Sequence, residues 1–217
     1  MSYWMLVIVT LVIGMGASGY VKYQLDRHQK EYSASGLTGA QAAELMLSRK
    51  GVNGVRVYRG KEGADHFDPR SNSISLSPSV YDRRTVTAYA TACHEVGHAC
   101  QFAEGYAPLK IRSAIVPAVN VASNAWIWIL MAGILMNIAG LIDLAILVYA
   151  VVVVFQLVTL PVEFNASSRT LSYMKSIGLP EAEVSGSTAV LRACAMTYVA
   201  AALASLLQLL YLLGRRD

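Results

Sequence analysis

His94-Glu95-Val96-Gly97-His98 carries two imidazoles four residues apart, with a carboxylate beside the first. At 3.6 residues per turn this spacing puts both imidazoles on one face of a helix, where they can bind a single metal ion. Zinc suits such donors and lowers the pKa of a bound water toward neutrality. Glu95 is then placed to take the water's proton as it attacks a peptide carbonyl, and to deliver it to the leaving amine. The pattern predicts His94 and His98 as metal ligands, Glu95 as general base, Zn2+ as cofactor and a protein or peptide as substrate.

Catalytic zinc takes three protein ligands and keeps a fourth position open, so one more donor must come from elsewhere. Of the four histidines, the remaining two, His28 and His66, both precede the motif. Glu163 is the better candidate, because it leaves an apolar run in Leu160-Pro161-Val162-Glu163-Phe164-Asn165-Ala166-Ser167 at the depth expected for His94 and His98. The alternatives are His66 in a loop between predicted strands, His28 in a basic exit helix, and Asp143 at the opposite membrane face. Peptide hydrolysis also needs a donor for the developing oxyanion. Tyr106, Arg169 and Asn165 are candidates by position, and spacing does not choose among them.

The elements that must position these residues are mostly helical and mostly apolar. The chain has 217 residues, of which 55% are hydrophobic and 15% charged, against roughly 25% charged in a soluble domain. Tyr3 to Val21 is uncharged, Ser113 to Val162 carries only Asp143, and Ala193 to Gly214 is uncharged. A helical span needs about 20 apolar residues, so the middle run holds two spans with a tight turn near Ala139 to Asp143. The organisation predicted is transmembrane helix 1 at 1–21, a cytoplasmic catalytic region at 22–112, helix 2 at 113–139, helix 3 at 141–162, a cytoplasmic segment at 163–192 and helix 4 at 193–214. A cleaved signal peptide is the alternative for the first run, which lacks a basic residue ahead of it and exceeds the usual length.

Both termini then share one side, and sixteen of the eighteen Lys and Arg lie on the other. The positive-inside rule makes that other side cytoplasmic, with only Arg215 and Arg216 pulling against it. The odd number of cysteines, Cys93, Cys100 and Cys194, agrees with a reducing compartment. The lipid bilayer is therefore an expected partner. The basic balance belongs to a membrane-proximal surface, and no nucleic-acid module is present.

Within the catalytic region, Thr38 and Gln41 form a capping box for a short amphipathic helix that ends near Gly51. Val55 to Tyr58 and Ser73 to Ser77 alternate as two strands of a small sheet, whose edge could hold an extended substrate or only cover the helices. The motif helix runs from about Thr85 to Phe102 and is too polar to face lipid, which puts the metal at or just outside the membrane surface.

Together, Asp65-His66-Phe67-Asp68-Pro69, Ile74-Ser75-Leu76-Ser77, His94-Glu95-Val96-Gly97-His98-Ala99 and Pro161-Val162-Glu163-Phe164-Asn165-Ala166-Ser167 resemble the YugP-type neutral zinc metallopeptidases of bacterial membranes. That family is similar to the HtpX-type peptidases, gluzincins whose third ligand is a Glu in a Glu-x-x-Ala-Asp pattern. The resemblance implies Glu163 as third ligand, a small zincin-like α+β catalytic domain and a site facing the cytoplasm of a bacterial cell. Ser167 stands where the pattern has an Asp that orients a ligand His, leaving that role to Asn165, to Ser167 or to a different group. A membrane scaffold partner or a homo-oligomer enters by analogy alone.

Two rival readings use the same residues. A site-2-type intramembrane metalloprotease would draw an Asp ligand from a Leu-Asp-Gly motif, of which Asn137 to Asp143 is a faint echo. A non-catalytic membrane adaptor would keep the metal for structure, but structural zinc sites usually have four protein ligands.

Overall fold

The computed structural model describes residues 2–214, so Arg215 and Arg216 lie outside the described residues. The elements in chain order are α1 (Tyr3–His28), α2 (Gly39–Arg49), β1 (Arg56–Arg59), β2 (His66–Asp68), β3 (Ser73–Leu76), α3 (Pro78–Tyr81), α4 (Val86–Ala103), α5 (Ala107–Leu135), α6 (Ala139–Ser176) and α7 (Glu181–Leu213). Four of them, α1, α5, α6 and α7, are long and apolar enough to cross a membrane. Large apolar side chains on their outer faces, among them Trp4, Val12, Trp128 and Leu147, are exposed, as the lipid-facing side of a multi-pass protein requires.

α6 has 38 residues, and at 1.5 Å per residue it extends about 57 Å, well beyond a hydrocarbon core of about 30 Å. Pro161 lies inside it without ending it. Glu163 therefore sits mid-helix, in a rod that rises out of the apolar layer and continues for thirteen further residues to Ser176. The turn between α5 and α6 falls at Met136 to Ile138, slightly earlier than the expected Ala139 to Asp143, because Asn137 adopts a left-handed φ of 55°. Gly133 lets the two helices close there: a Cβ on it would meet Ile142 Cγ1 at 2.9 Å.

The polar part sits on the ends of these helices. α2 has the expected capping box between Thr38 and Gln41, and α4 is capped by Thr85, whose side chain accepts from the Ala88 amide. The sheet has three strands where two were expected, in the order β1-β3-β2, with β1 parallel and β2 antiparallel to β3. β2 carries His66, which was expected in a loop; three residues are too few to show an alternating pattern. β3 is wholly buried, and its Ile74 and Leu76 join Met46 of α2, Tyr89, Cys93 and Val96 of α4, and Tyr173 and Met174 of α6 in one core. A strap of hydrogen bonds fixes the chain after α1 over α7: Glu183 accepts from Ser33 Oγ at 2.5 Å and from the Ala34 amide at 2.8 Å.

Candidate metal centre

α4 and α6 meet through the two smallest side chains available. A Cβ on Gly97 would lie 2.8 Å from the Ala166 carbonyl oxygen and 3.1 Å from Ala166 Cα, so only glycine permits the approach. His94 lies three residues before Gly97 and His98 one after it, while Glu163 lies three before Ala166. His94 and Glu163 lie about one helical turn from this contact and His98 beside it, and the three side chains converge.

His94 Nε2 is 3.2 Å and His98 Nε2 3.6 Å from Glu163 Oε2. Donors about 2.0–2.2 Å from a tetrahedral zinc lie about 3.3–3.5 Å from one another, so one ion fits all three. His94, His98 and Glu163 offer ligand atoms within 4.8 Å of one another and are positioned to bind a divalent metal such as Zn2+. Glu163 and His98 are buried, and the two imidazole rings stand at 85° with centroids 4.7 Å apart.

The imidazoles are oriented from behind. His98 Nδ1 lies 3.0 Å from Gln101 Oε1, and Gln101 Nε2 donates to the Val162 carbonyl at 2.8 Å and to Asn165 Oδ1 at 2.9 Å. Nδ1–H donating to Gln101 leaves the His98 Nε2 lone pair facing the metal position. Ser167 Oγ is 3.4 Å from His94 Nδ1. Ser167 thus stands beside one ligand, while Asn165 acts on the other only through Gln101. Burial lowers the His98 pKa, but the close Glu163 carboxylate, the charge of Glu95 and the contact with Gln101 outweigh it, and the net displacement is upward.

Glu95 opens into the same cavity of about 600 Å³, where its Oε2 accepts from the Phe67 amide at 2.9 Å. That amide belongs to edge strand β2, so the sheet and the Glu95 carboxylate form one wall of the site. The Phe67 ring packs on Phe102 with centroids 5.8 Å apart, which ties the strand to the end of α4. The opposite wall comes from α5 and α7 through Arg112, Val116, Leu191 and Ala195. Arg112 Nη1 is 3.9 Å from Glu163 Oε1.

The other expectations fall differently. His66 lines the cavity rim on β2, and His28 is occupied with Glu31 at 2.7 Å. Asp143 lies twenty residues before Glu163 on the same helix, about 30 Å away. The three residues considered for the oxyanion have other partners: Arg169 donates to Glu104 and to Asn165, Asn165 Oδ1 also accepts from Gln101, and Tyr106 OH points at the Pro161 carbonyl. Sequence reasoning missed Gln101 and Arg112 as parts of the site. Gln101 had a signal, its i,i+3 spacing from His98; Arg112 had none, since only tertiary packing brings α5 to the cavity.

The donor set and spacing are those of a gluzincin-type zinc protease site, and the comparisons agree. Residues 3–216 match the family described as "Putative neutral zinc metallopeptidase". A relative from Bacillus subtilis (strain 168), "Putative membrane protease YugP", is 41% identical over 213 residues, which cover 97% of this chain and 94% of that protein. No solved structure matches the chain significantly. The two-histidine, one-glutamate cluster on a four-span scaffold and this full-length match lead to one conclusion: the chain belongs to the neutral zinc metallopeptidase family of membrane proteins.

Proposed function

We propose that this protein is a membrane-integral zinc endopeptidase that hydrolyses peptide bonds of membrane or membrane-proximal proteins, with its site on the cytoplasmic face of a bacterial membrane. His94, His98 and Glu163 hold the ion, and Glu95 is the general base. The observation that carries this reading is that Glu95 shares a cavity with the three-donor cluster, with a strand edge alongside. Zinc held there supplies Lewis-acid polarisation and an acidified water. Glu95 takes a proton from the attacking water and returns it to the departing amine nitrogen. The Phe67 amide holds the Glu95 carboxylate in place for both transfers, and β2 forms the cavity wall along which an extended substrate lies.

Three protein ligands leave room for water and substrate, which favours catalysis over the adaptor reading. The distance from Asp143 to Glu163 argues against a site-2-type ligand set. The orientation rests on the Lys and Arg count, with Lys110 and Arg112 in the first two turns of α5. The test is zinc stoichiometry and proteolysis of the detergent-solubilised protein beside two variants. Glu95→Gln should keep one zinc and lose at least about 100-fold in kcat, whereas Glu163→Ala should lose zinc. Unchanged proteolysis in Glu95→Gln would remove the mechanism.

A further inference from the structure

A tetrahedral intermediate places negative charge on the former carbonyl oxygen, and a desolvated donor aimed at that oxygen is commonly the largest single contribution to catalysis. Two guanidinium groups line the cavity. Arg70 is exposed at its rim, whereas Arg112 has a side chain only 30% exposed and lies inside, against the metal cluster.

Glu163 turns Oε2 toward both imidazoles and Oε1 toward Arg112 Nη1 at 3.9 Å. That separation is an ion-pair distance beyond hydrogen-bond reach, so the contact sets the guanidinium beside the ligand carboxylate without consuming its donors. The Arg112 Nε is buried and has no hydrogen-bond partner among the described residues. Leaving such a donor desolvated is unfavourable by itself, and it is a common property of groups that complete their bonding with a ligand. Phe155 supports the other face of the group, with Arg112 Cζ 5.9 Å from the ring centroid. Arginine is charged at every physiological pH and presents a rigid fork of donors, so no protonation step is needed.

We propose that Arg112 is a catalytic residue whose guanidinium donates hydrogen bonds to the scissile carbonyl oxygen as that oxygen becomes negative. The proposal rests on the peptidase reading above. As water adds to the carbonyl carbon, the π pair moves onto the oxygen that Arg112 grips; Arg112 stays protonated throughout, and Glu95 carries the transferred proton. When the C–N bond breaks, the pair returns to re-form the carbonyl and the amine leaves. Tyr198, which lines the same cavity from α7, is the rival donor.

The experiment compares zinc-loaded wild type, Arg112→Met, Arg112→Lys and Tyr198→Phe in nanodiscs. Zinc content, hydrolysis of an internally quenched peptide, and binding of N-phosphoryl-Leu-Phe and N-acetyl-Leu-Phe are measured. The phosphoryl compound mimics the charged tetrahedral state and the acetyl compound the ground state. Arg112→Met is expected to keep its zinc, to lose about 100- to 1000-fold in kcat with little change in KM, and to lose phosphoryl-peptide affinity by a similar factor. Acetyl-peptide binding should stay within about threefold, and added guanidinium should restore part of the rate. Arg112→Lys, which keeps charge but not the fork, should fall between, and it serves if the methionine variant does not fold. The proposal is overturned if kcat in Arg112→Met stays near wild type, if the loss tracks zinc loss and so marks Arg112 as a prop for Glu163, or if Tyr198→Phe alone shows the effect. Zinc-loaded wild type that neither cleaves peptide nor binds the phosphoryl compound would overturn the peptidase reading itself, and that failure is visible without any variant.

Discussion

Replacing Gln101 with methionine removes the group that links one metal ligand to the helix carrying another. Gln101 is fully buried, accepts from His98 Nδ1 and donates to Val162 and Asn165 of α6. Methionine fills a similar volume and makes none of these bonds. With Nε2 on the metal, His98 must keep its proton on Nδ1, and leaving that buried N–H without a partner costs about 1–3 kcal/mol. The expected loss of zinc affinity falls inside that range, at 10- to 100-fold, or about 1.4–2.7 kcal/mol. The two bonds to α6 contribute about 1 kcal/mol each to stability, so the metal-free variant should also melt earlier. Competition with a chromophoric chelator gives the zinc affinity, and thermal unfolding with and without zinc gives the stability. Zinc affinity within twofold of wild type in a folded Gln101→Met protein would refute the assignment of Gln101 as the group that orients His98.

Two further outcomes are expected. Gly97→Ala forces a methyl to within 2.8 Å of a backbone carbonyl, which should destabilise the α4–α6 contact by about 1–3 kcal/mol and weaken zinc binding with it, measured by thermal unfolding and chelator competition. The raised His98 pKa sets a pH dependence: in the metal-free chain the protonated pair with Glu163 adds stability that is fully present below the ordinary histidine pKa and is lost as pH rises through the raised value. Zinc competes with that proton, so its affinity should fall as pH drops below the raised value, with proton release seen by calorimetry in buffers of different ionisation enthalpy.

The metal cluster was more legible in the sequence than the architecture that delivers it. His94, Glu95 and His98 could be read because local helix geometry alone sets their relation, and four spans could be read because hydropathy over about 20 residues integrates many side chains. Glu163 was reachable by depth along an apolar run, although its place inside a continuous 38-residue helix was not, since Pro161 reads locally as a helix end. The strand β2 escaped because three residues carry no period, and the same three residues supply the amide that holds Glu95. Gln101 looked like one polar residue among several on α4, and only the fold shows it facing α6.

The site is set by a register between two helices of different character. α6 is a membrane-spanning rod and α4 a short, nearly fully buried helix, and side chains from both must reach one point to within a few tenths of an ångström. Gly97 against Ala166 fixes how close the helices come, and Gln101 bonded to Val162 and Asn165 fixes how far one can slide along the other. Val162 immediately precedes Glu163, so the side chain that orients His98 also fixes the backbone that carries the other ligand. Each of these contacts is made by protein atoms alone, so packing aligns the donors. A displacement of α6, by a bilayer of different thickness or by a bound substrate span, would therefore reach the metal cluster through Gly97 and Gln101 first, which makes these two positions the sensitive points of the design.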